Sequence, residues 1–221
     1  VAPFQNPFFA RLFQRIGDRN EARGQAELRR ELLAGLTGSV VEVGAGTGLN
    51  FAYYPDEVTG VAAVEPEPSL RSEARRVVAS APVPVPVSVV AATADRLPFE
   101  DGSADAVVVS GVLCSVADPV AALAEFARIL APGGELRFYE HVRSPQRVRA
   151  LIQDAADLVW PRLMGGCHPN RDPLATMRAA GWLPVRWREL IFPYGAKISV
   201  VAPRVLGVAR PASAREGGAP G

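Results

Sequence analysis

The nine residues Val40-Val41-Glu42-Val43-Gly44-Ala45-Gly46-Thr47-Gly48 constrain this chain more than any other stretch. They read as a buried strand that runs straight into a glycine-rich turn. Glycine at alternate positions lets the backbone turn tightly and approach a ligand where a Cβ would intrude. Free N–H groups at the start of the helix after such a turn point at whatever polar ligand lies across the strand end. The stretch is therefore a cofactor loop at the bend of a strand–turn–helix unit.

Spacing narrows the cofactor. The dinucleotide fingerprint G-x-G-x-x-G requires glycine at position 49, which here is Leu49, and the actual pattern is E-x-G-x-G-x-G. A second apolar run, Gly60-Val61-Ala62-Ala63-Val64, ends in Glu65. It lies about twenty residues past the first glycine, where a carboxylate accepts hydrogen bonds from two ribose hydroxyls. A cofactor with ribose and adenine but no phosphate fits this combination best. The competing readings are a glycine turn in an unrelated α/β protein and a nicotinamide oxidoreductase; Leu49 disfavours the second.

Composition excludes other classes. The chain has 221 residues, 48% of them hydrophobic, which is room for one domain with a substantial core. A net charge of +1 argues against nucleic acid as a partner, because tracking phosphates needs a strong basic patch. Lys197 is the only lysine, so nearly all positive charge is arginine. No apolar run approaches the roughly eighteen residues of a membrane span, and the first residues lack a basic-then-apolar signal. A soluble, cytoplasmic protein is expected, monomer or homodimer. Cys114 and Cys167 are far apart in sequence and read as reduced thiols. Neither has C-x-x-C spacing, so no metal site is expected.

Helical and strand patterns alternate along the chain. Phe8, Phe9, Leu12, Phe13 and Ile16 fall on one helix face, and a second helical stretch spans about Asn20 to Leu36. After the strands ending at Val43 and Val64, a charged helix runs from about Glu67 to Ala79. Pro82, Pro84 and Pro86 break the chain before a third strand, Val87 to Ala92. The fourth, Ala104 to Ser110, is nearly all Val and Ala, as a strand buried on both faces should be. Asp118-Pro119 starts a helix that Ala131-Pro132-Gly133-Gly134 ends, and a fifth strand, Glu135 to Glu140, follows. A long helix from about Gln146 to Leu163, a second Asp-Pro start at Asp172, and two strands, Leu183 to Glu189 and Ile198 to Ala209, complete the pattern. The last two should pair antiparallel at a sheet edge.

Further motifs carry a resemblance. Ala94-Asp95-Arg96-Leu97-Pro98-Phe99, followed by Asp101-Gly102-Ser103-Ala104-Asp105, is similar to the adenine-side loop of class I S-adenosyl-L-methionine (SAM) methyltransferases of the small-molecule branch. Many relatives have an aspartate where this chain has Thr93, so adenine contact is assigned to Ala94 and Asp95. Four more segments resemble the methyltransferase-like thiol S-methyltransferases. They are Leu49-Asn50-Phe51 with Tyr54-Pro55, Val112-Leu113-Cys114-Ser115-Val116, Glu140-His141-Val142, and Gly166-Cys167-His168 with Arg171-Asp172. Animal members begin with a membrane-anchoring segment that this chain does not show, which suits a soluble bacterial-type relative. Related quinone and sterol C-methyltransferases often carry two histidines where this chain has Cys114-Ser115.

The resemblance implies an α/β fold. It is a Rossmann-like doubly wound sheet of seven strands, mostly parallel with an antiparallel C-terminal edge strand. A single domain over 1–210 is expected, with 1–36 a helical lid, 37–142 the cofactor-binding core and 143–210 the substrate-side helices and terminal strand pair. Residues 211–221, small and polar, are expected to be a disordered tail. The expected activity is transfer of the SAM methyl group to a small-molecule acceptor, foremost a thiol, by direct in-line displacement. Alternatives are an oxygen, nitrogen or carbon acceptor in a secondary metabolite, quinone or lipid, and a noncatalytic SAM-binding module.

Expected cofactor contacts are Glu42, Gly44, Ala45, Gly46, Gly48, Asn50, Glu65, Pro66, Ala94, Asp95, Ser110 and Gly111. A thiol titrates near pH 8.5, so a strong base is dispensable. If one acts, His141 is the first candidate, at the carboxyl end of the sheet where ligands of open α/β folds gather, and His168 the second. The competing reading of each is a histidine that caps a turn or bonds a backbone carbonyl. Phe4, Phe8, Leu12, Cys114, Trp160 and Cys167 are the acceptor-side candidates, with Cys114 also readable as a small buried hydrophobe.

Overall fold

The computed structural model describes residues 20–196 and 199–212. Seven strands form one sheet: β1 (Gly38–Val43), β2 (Val58–Val64), β3 (Val87–Val90), β4 (Ala104–Ser110), β5 (Leu130–His141), β6 (Trp182–Ile191) and β7 (Pro203–Pro211). Their order across the sheet is β3-β2-β1-β4-β5-β7-β6. The first five are parallel, and β7 enters antiparallel between β5 and β6. The order reverses between β1 and β4, where the crevice at the strands' carboxyl ends receives ligands in this class of sheet.

The helices are α1 (Ala26–Leu33), α2 (Pro68–Ser80), α3 (Pro119–Ile129), α4 (Arg147–Asp157), the short α5 (Trp160–Leu163) and α6 (Pro173–Ala179). Alternate residues of the central strands serve two cores. Val41, Val43, Val107 and Val109 pack with Leu123 and Phe126 of α3 and Met177 of α6. Val40, Ala106 and Val108 pack on the opposite face with Leu28, Leu32 and Leu33 of α1 and Ala74 of α2. Burial on both faces explains the unbroken Val/Ala composition of β4.

Caps agree with the Asp-Pro signals. The Asp118 carboxylate accepts from the N–H groups of Val120 and Ala121, and that of Asp172 from Ala175. Several boundaries differ from expectation, among them the last strand, which begins at Pro203 rather than Ile198 and runs through Pro211 into the expected tail. The stretch from Asn20 begins with an irregular turn, Glu21–Gln25, kinked at Gly24, whose φ is 98°. The third strand stops at Val90. The fifth begins at Leu130, because Pro132-Gly133-Gly134 forms an irregularity inside the strand pairing rather than a turn before it. The long helix after β5 breaks after Asp157 and resumes at Trp160, with Pro161 in its first turn, where proline is tolerated.

Phe4, Phe8, Leu12, the rest of the first helical stretch and most of the expected tail lie outside the described residues. Among the described residues no helix is long and apolar enough to cross a membrane. The helices after β5 leave Val148, Leu151, Leu158 and Leu163 exposed.

Candidate active site

The glycine loop is anchored at both ends. Gly44 and Ala45 donate their N–H groups to the Val64 carbonyl at 2.8 and 3.0 Å, so the loop turns over the end of β2. Gly44 and Gly48 have φ of 71° and 84°. A Cβ on the first would stand 2.6 Å from the Val112 side chain, and one on the second 2.5 Å from the Phe51 ring. Only glycine meets both demands.

Five polar side chains hold the segment that follows. Glu42, buried in β1, accepts from Asn50 Nδ2 at 2.8 Å and from the Tyr54 hydroxyl at 2.7 Å. Asn50 in turn accepts from Arg29 Nη1 at 2.7 Å, and Arg29 pairs with Glu21. Burial pushes the Glu42 carboxyl up to about 7 against the pull of its two hydrogen bonds. Arg29 has no counterpart in the sequence expectation, and Tyr54 stands there only within a motif, with no role given to it; a single buried arginine on an amphipathic helix gives no local signal of its partner.

Glu65 directly follows β2 and is buried. Its Oε2 accepts from Gly46 N–H at 2.8 Å and its Oε1 from Glu67 N–H at 2.9 Å. One carboxylate thus joins the glycine loop to the turn into α2, and burial raises its pKa. Each oxygen keeps further acceptor capacity. Pro66 lies in that turn, its carbonyl held by Arg71. On the loop after β3, Ala94 is buried in the core and Asp95 is exposed. Glu125 and Arg128 of α3 fix this loop by accepting from Leu97 N–H and donating to the Leu97 and Phe99 carbonyls. Ser110 and Gly111 end β4, and a Cβ on Gly111 would meet only open space.

These features fit SAM: glycines hold the backbone open for a ligand, a buried carboxylate follows β2, and open space borders Gly111. The turn after Gly111 is organised by Glu140, which sequence reasoning did not single out as a site residue. Its Oε1 accepts from the N–H groups of Val112 and Leu113 at 2.8 and 3.1 Å, and its Oε2 from Cys114 at 3.1 Å. Burial pushes its pKa up.

At that turn the fold brings together residues far apart in sequence. Cys114 and Cys167, 53 positions apart, have sulfurs 3.9 Å from each other. His141 Nδ1 lies 3.3 Å from each sulfur. His168 donates its backbone N–H to the Cys114 carbonyl at 2.7 Å, and its Nδ1 lies 3.0 Å from Asp157 Oδ1. Contact with Cys167 and burial push the Cys114 thiol up to about 12, whereas the contact with Cys114 lowers Cys167. Trp160 and Ser115 face the Cys167 sulfur. Arg171 ties the loop down, donating to the Leu113 and Val116 carbonyls. The C-x-x-C argument against a metal site misses this trio, because its three donor atoms come from three separate segments.

Comparison with known proteins agrees with this geometry. The family described as "Methyltransferase domain" matches residues 41–138. Human thiol S-methyltransferase TMT1A is 31% identical over 209 residues, 92% of this chain and 84% of that protein. The chain belongs to the SAM-dependent methyltransferases. It is an enzyme, with SAM as cofactor. A demethylmenaquinone methyltransferase of Mycobacterium sp. (strain KMS) is 36% identical over 119 residues, 46% of this chain and 52% of that protein. Among solved structures, a SAM-dependent methyltransferase of Thermotoga maritima, described as a possible histamine N-methyltransferase, superposes with TM-score 0.64 at 22% identity, covering 92% of this chain and 97% of its own. The seven-stranded mixed sheet of this methyltransferase is therefore its family's fold.

Proposed function

We propose that this methyltransferase moves the methyl group of SAM to the sulfur of a small apolar thiol by direct in-line displacement. One observation carries the reading. Similarity to thiol S-methyltransferase TMT1A extends over 92% of the chain, so it includes the segments after β5 that meet Cys114, whereas the quinone-methylating relative matches 46%. Exposed apolar residues on the helices after β5 suit an apolar acceptor.

When bound, SAM supplies an electrophilic methyl carbon on a positively charged sulfur. Gly44, Ala45, Gly46 and Gly48 line its methionine end, with Glu42 and Asn50 beneath them setting the loop's shape. Glu65 and Pro66 hold the ribose, and Ala94 and Asp95 face the adenine. Ser110 and Gly111 border the transferred group. The Ala26–Leu33 helix is anchored on the sheet beside the cofactor loop. Cys114, Trp160 and Cys167 shape the acceptor side. His141, with Nδ1 engaged by the two cysteines, presents Nε2 to take the acceptor proton. His168, whose Nδ1 faces Asp157, is the second candidate. Since a thiol ionises near neutral pH, alignment and exclusion of water supply most of the acceleration.

The test is methyl transfer from labelled SAM to a matched panel of alkyl thiols, phenols, amines and quinols, with S-adenosylhomocysteine and the mass gain of each acceptor read together. Methylation confined to thiols is the expected result. Methylation of quinols or phenols with thiols untouched would overturn the acceptor and favour the quinone-type reading.

A further inference from the structure

We propose that Cys114, His141 and Cys167 form a binding site for one thiophilic divalent cation of the zinc class. The three donors come from the turn after β4, the end of β5 and the loop after α5. Each is placed by backbone restraints, and those restraints tie the three segments to one another. Cys114 N–H is held by Glu140, and His141 pairs with Arg204 across β5 and β7. The Cys167 loop is pinned by the bond from His168 N–H to the Cys114 carbonyl. Gly166 is essential to that approach: with φ 83°, a Cβ on it would stand 2.6 Å from the Ser115 carbonyl oxygen.

The distances suit a tetrahedral ion. Zinc–sulfur and zinc–nitrogen bonds of about 2.3 and about 2.0 Å place two sulfurs ~3.8 Å apart and sulfur and nitrogen ~3.5 Å apart. The observed separations are 3.9 Å between the sulfurs and 3.3 Å from each sulfur to Nδ1. Without an ion the arrangement is over-subscribed. An imidazole Nδ1 offers one proton or one lone pair, and two buried sulfurs converge on it. An ion satisfies all three donors at once. Two thiolates balance its charge in a buried place, and soft sulfur donors exclude magnesium and calcium. Both sulfurs are buried, while the imidazole is half-buried, which leaves a fourth position reachable from its side. Loading releases one proton from each thiol and leaves both sulfurs bonded to the ion. If the thiol reading above holds, the fourth position is where the acceptor sulfur binds as thiolate; with Nδ1 on the ion His141 keeps its proton on Nε2, so the ion replaces it in ionising the acceptor and the acceptor proton is lost to solvent.

The experiment uses the full chain, purified under reducing conditions and loaded with Co2+ or Zn2+. One ion per chain by elemental analysis, with the intense visible and near-ultraviolet bands of tetrahedral cobalt bound to thiolate, is expected. Cys167→Ser should weaken binding roughly 100-fold or more. In the unmodified protein, zinc should protect both thiols from alkylation, a readout independent of any variant's folding. Less than one-tenth of an ion per chain, or octahedral cobalt spectra with both thiols titratable and reactive, would overturn the site. So would a Cys114–Cys167 disulfide whose reduction still yields no binding. Because these readouts involve no acceptor, metal binding with thiols left unmethylated keeps the site and removes only the acceptor reading.

Discussion

Arg29 Nη1 donates to Asn50 Oδ1 at 2.7 Å, so a helix outside the glycine loop holds the residue that closes it. The bond continues through Asn50 Nδ2 to Glu42, which joins α1, the loop and β1 in one buried chain. Replacing Arg29 by Met removes the donor while keeping the apolar stem, and leaves Asn50 and Glu21 without their cation. Stability should fall by roughly 1–3 kcal/mol, the cost of stranding buried polar groups. SAM affinity should fall with it as the loop loosens. Urea unfolding and titration calorimetry measure the two effects, and unchanged SAM affinity would detach the network from the cofactor site.

Glu65 serves two backbone donors as well as the proposed ribose. Glu65→Ala is expected to weaken SAM binding by roughly 1–3 kcal/mol. Glu65→Gln should lose less, because one amide oxygen still accepts a bond. Equal, wild-type affinity in both variants, by calorimetry, would refute the ribose role.

Glu42 makes stability depend on pH in an unusual direction. Its folded-state value of about 7 lies above the ordinary 4.5, so the native protein binds the proton more tightly than the unfolded chain does. Its contribution is complete below pH 4.5 and is lost as pH rises through about 7. The gap amounts to ~3 kcal/mol. Denaturant titrations at pH 5 and pH 8 should show Glu42→Gln losing less stability across this interval than the wild type, by about that amount. Parallel profiles would mean that Glu42 is already ionised at pH 5.

Gln153 is a fully buried hub. Its amide nitrogen donates to the carbonyls of Val142, Pro169 and Val200, and its oxygen accepts from Ser144 N–H. Gln153→Ala strands several buried backbone groups and should destabilise by roughly 2–4 kcal/mol. The loop carrying Cys167 and His168 should then exchange amide hydrogens faster than the sheet, as hydrogen-exchange mass spectrometry would show. Uniform exchange changes would count against a local role.

Some of this was legible because it is local. Alternation of Val and Ala announces a strand buried on both faces, Asp-Pro announces a helix start, and three glycines around Glu42 and Glu65 announce an adenosine-type cofactor. Where local signals compete, boundaries slipped: Pro132-Gly133-Gly134 reads as a turn, yet β-pairing with β4 carries the strand through it. Apolar periodicity continues past Asp157, yet the helix breaks before Trp160 and resumes with Pro161.

The Arg29–Asn50–Glu42 chain, the Glu140 cap on the Cys114 turn, the Gln153 hub and the meeting of Cys114, His141 and Cys167 left no trace in spacing. The sequence by itself determined the fold class, the cofactor loop and the family, because these follow from backbone periodicity and from residues within a few positions of one another. Only the tertiary structure decided which side chains share a site. Contacts between segments 26 or 53 positions apart depend on strand order and on where each loop crosses the sheet's carboxyl edge, which no local pattern encodes.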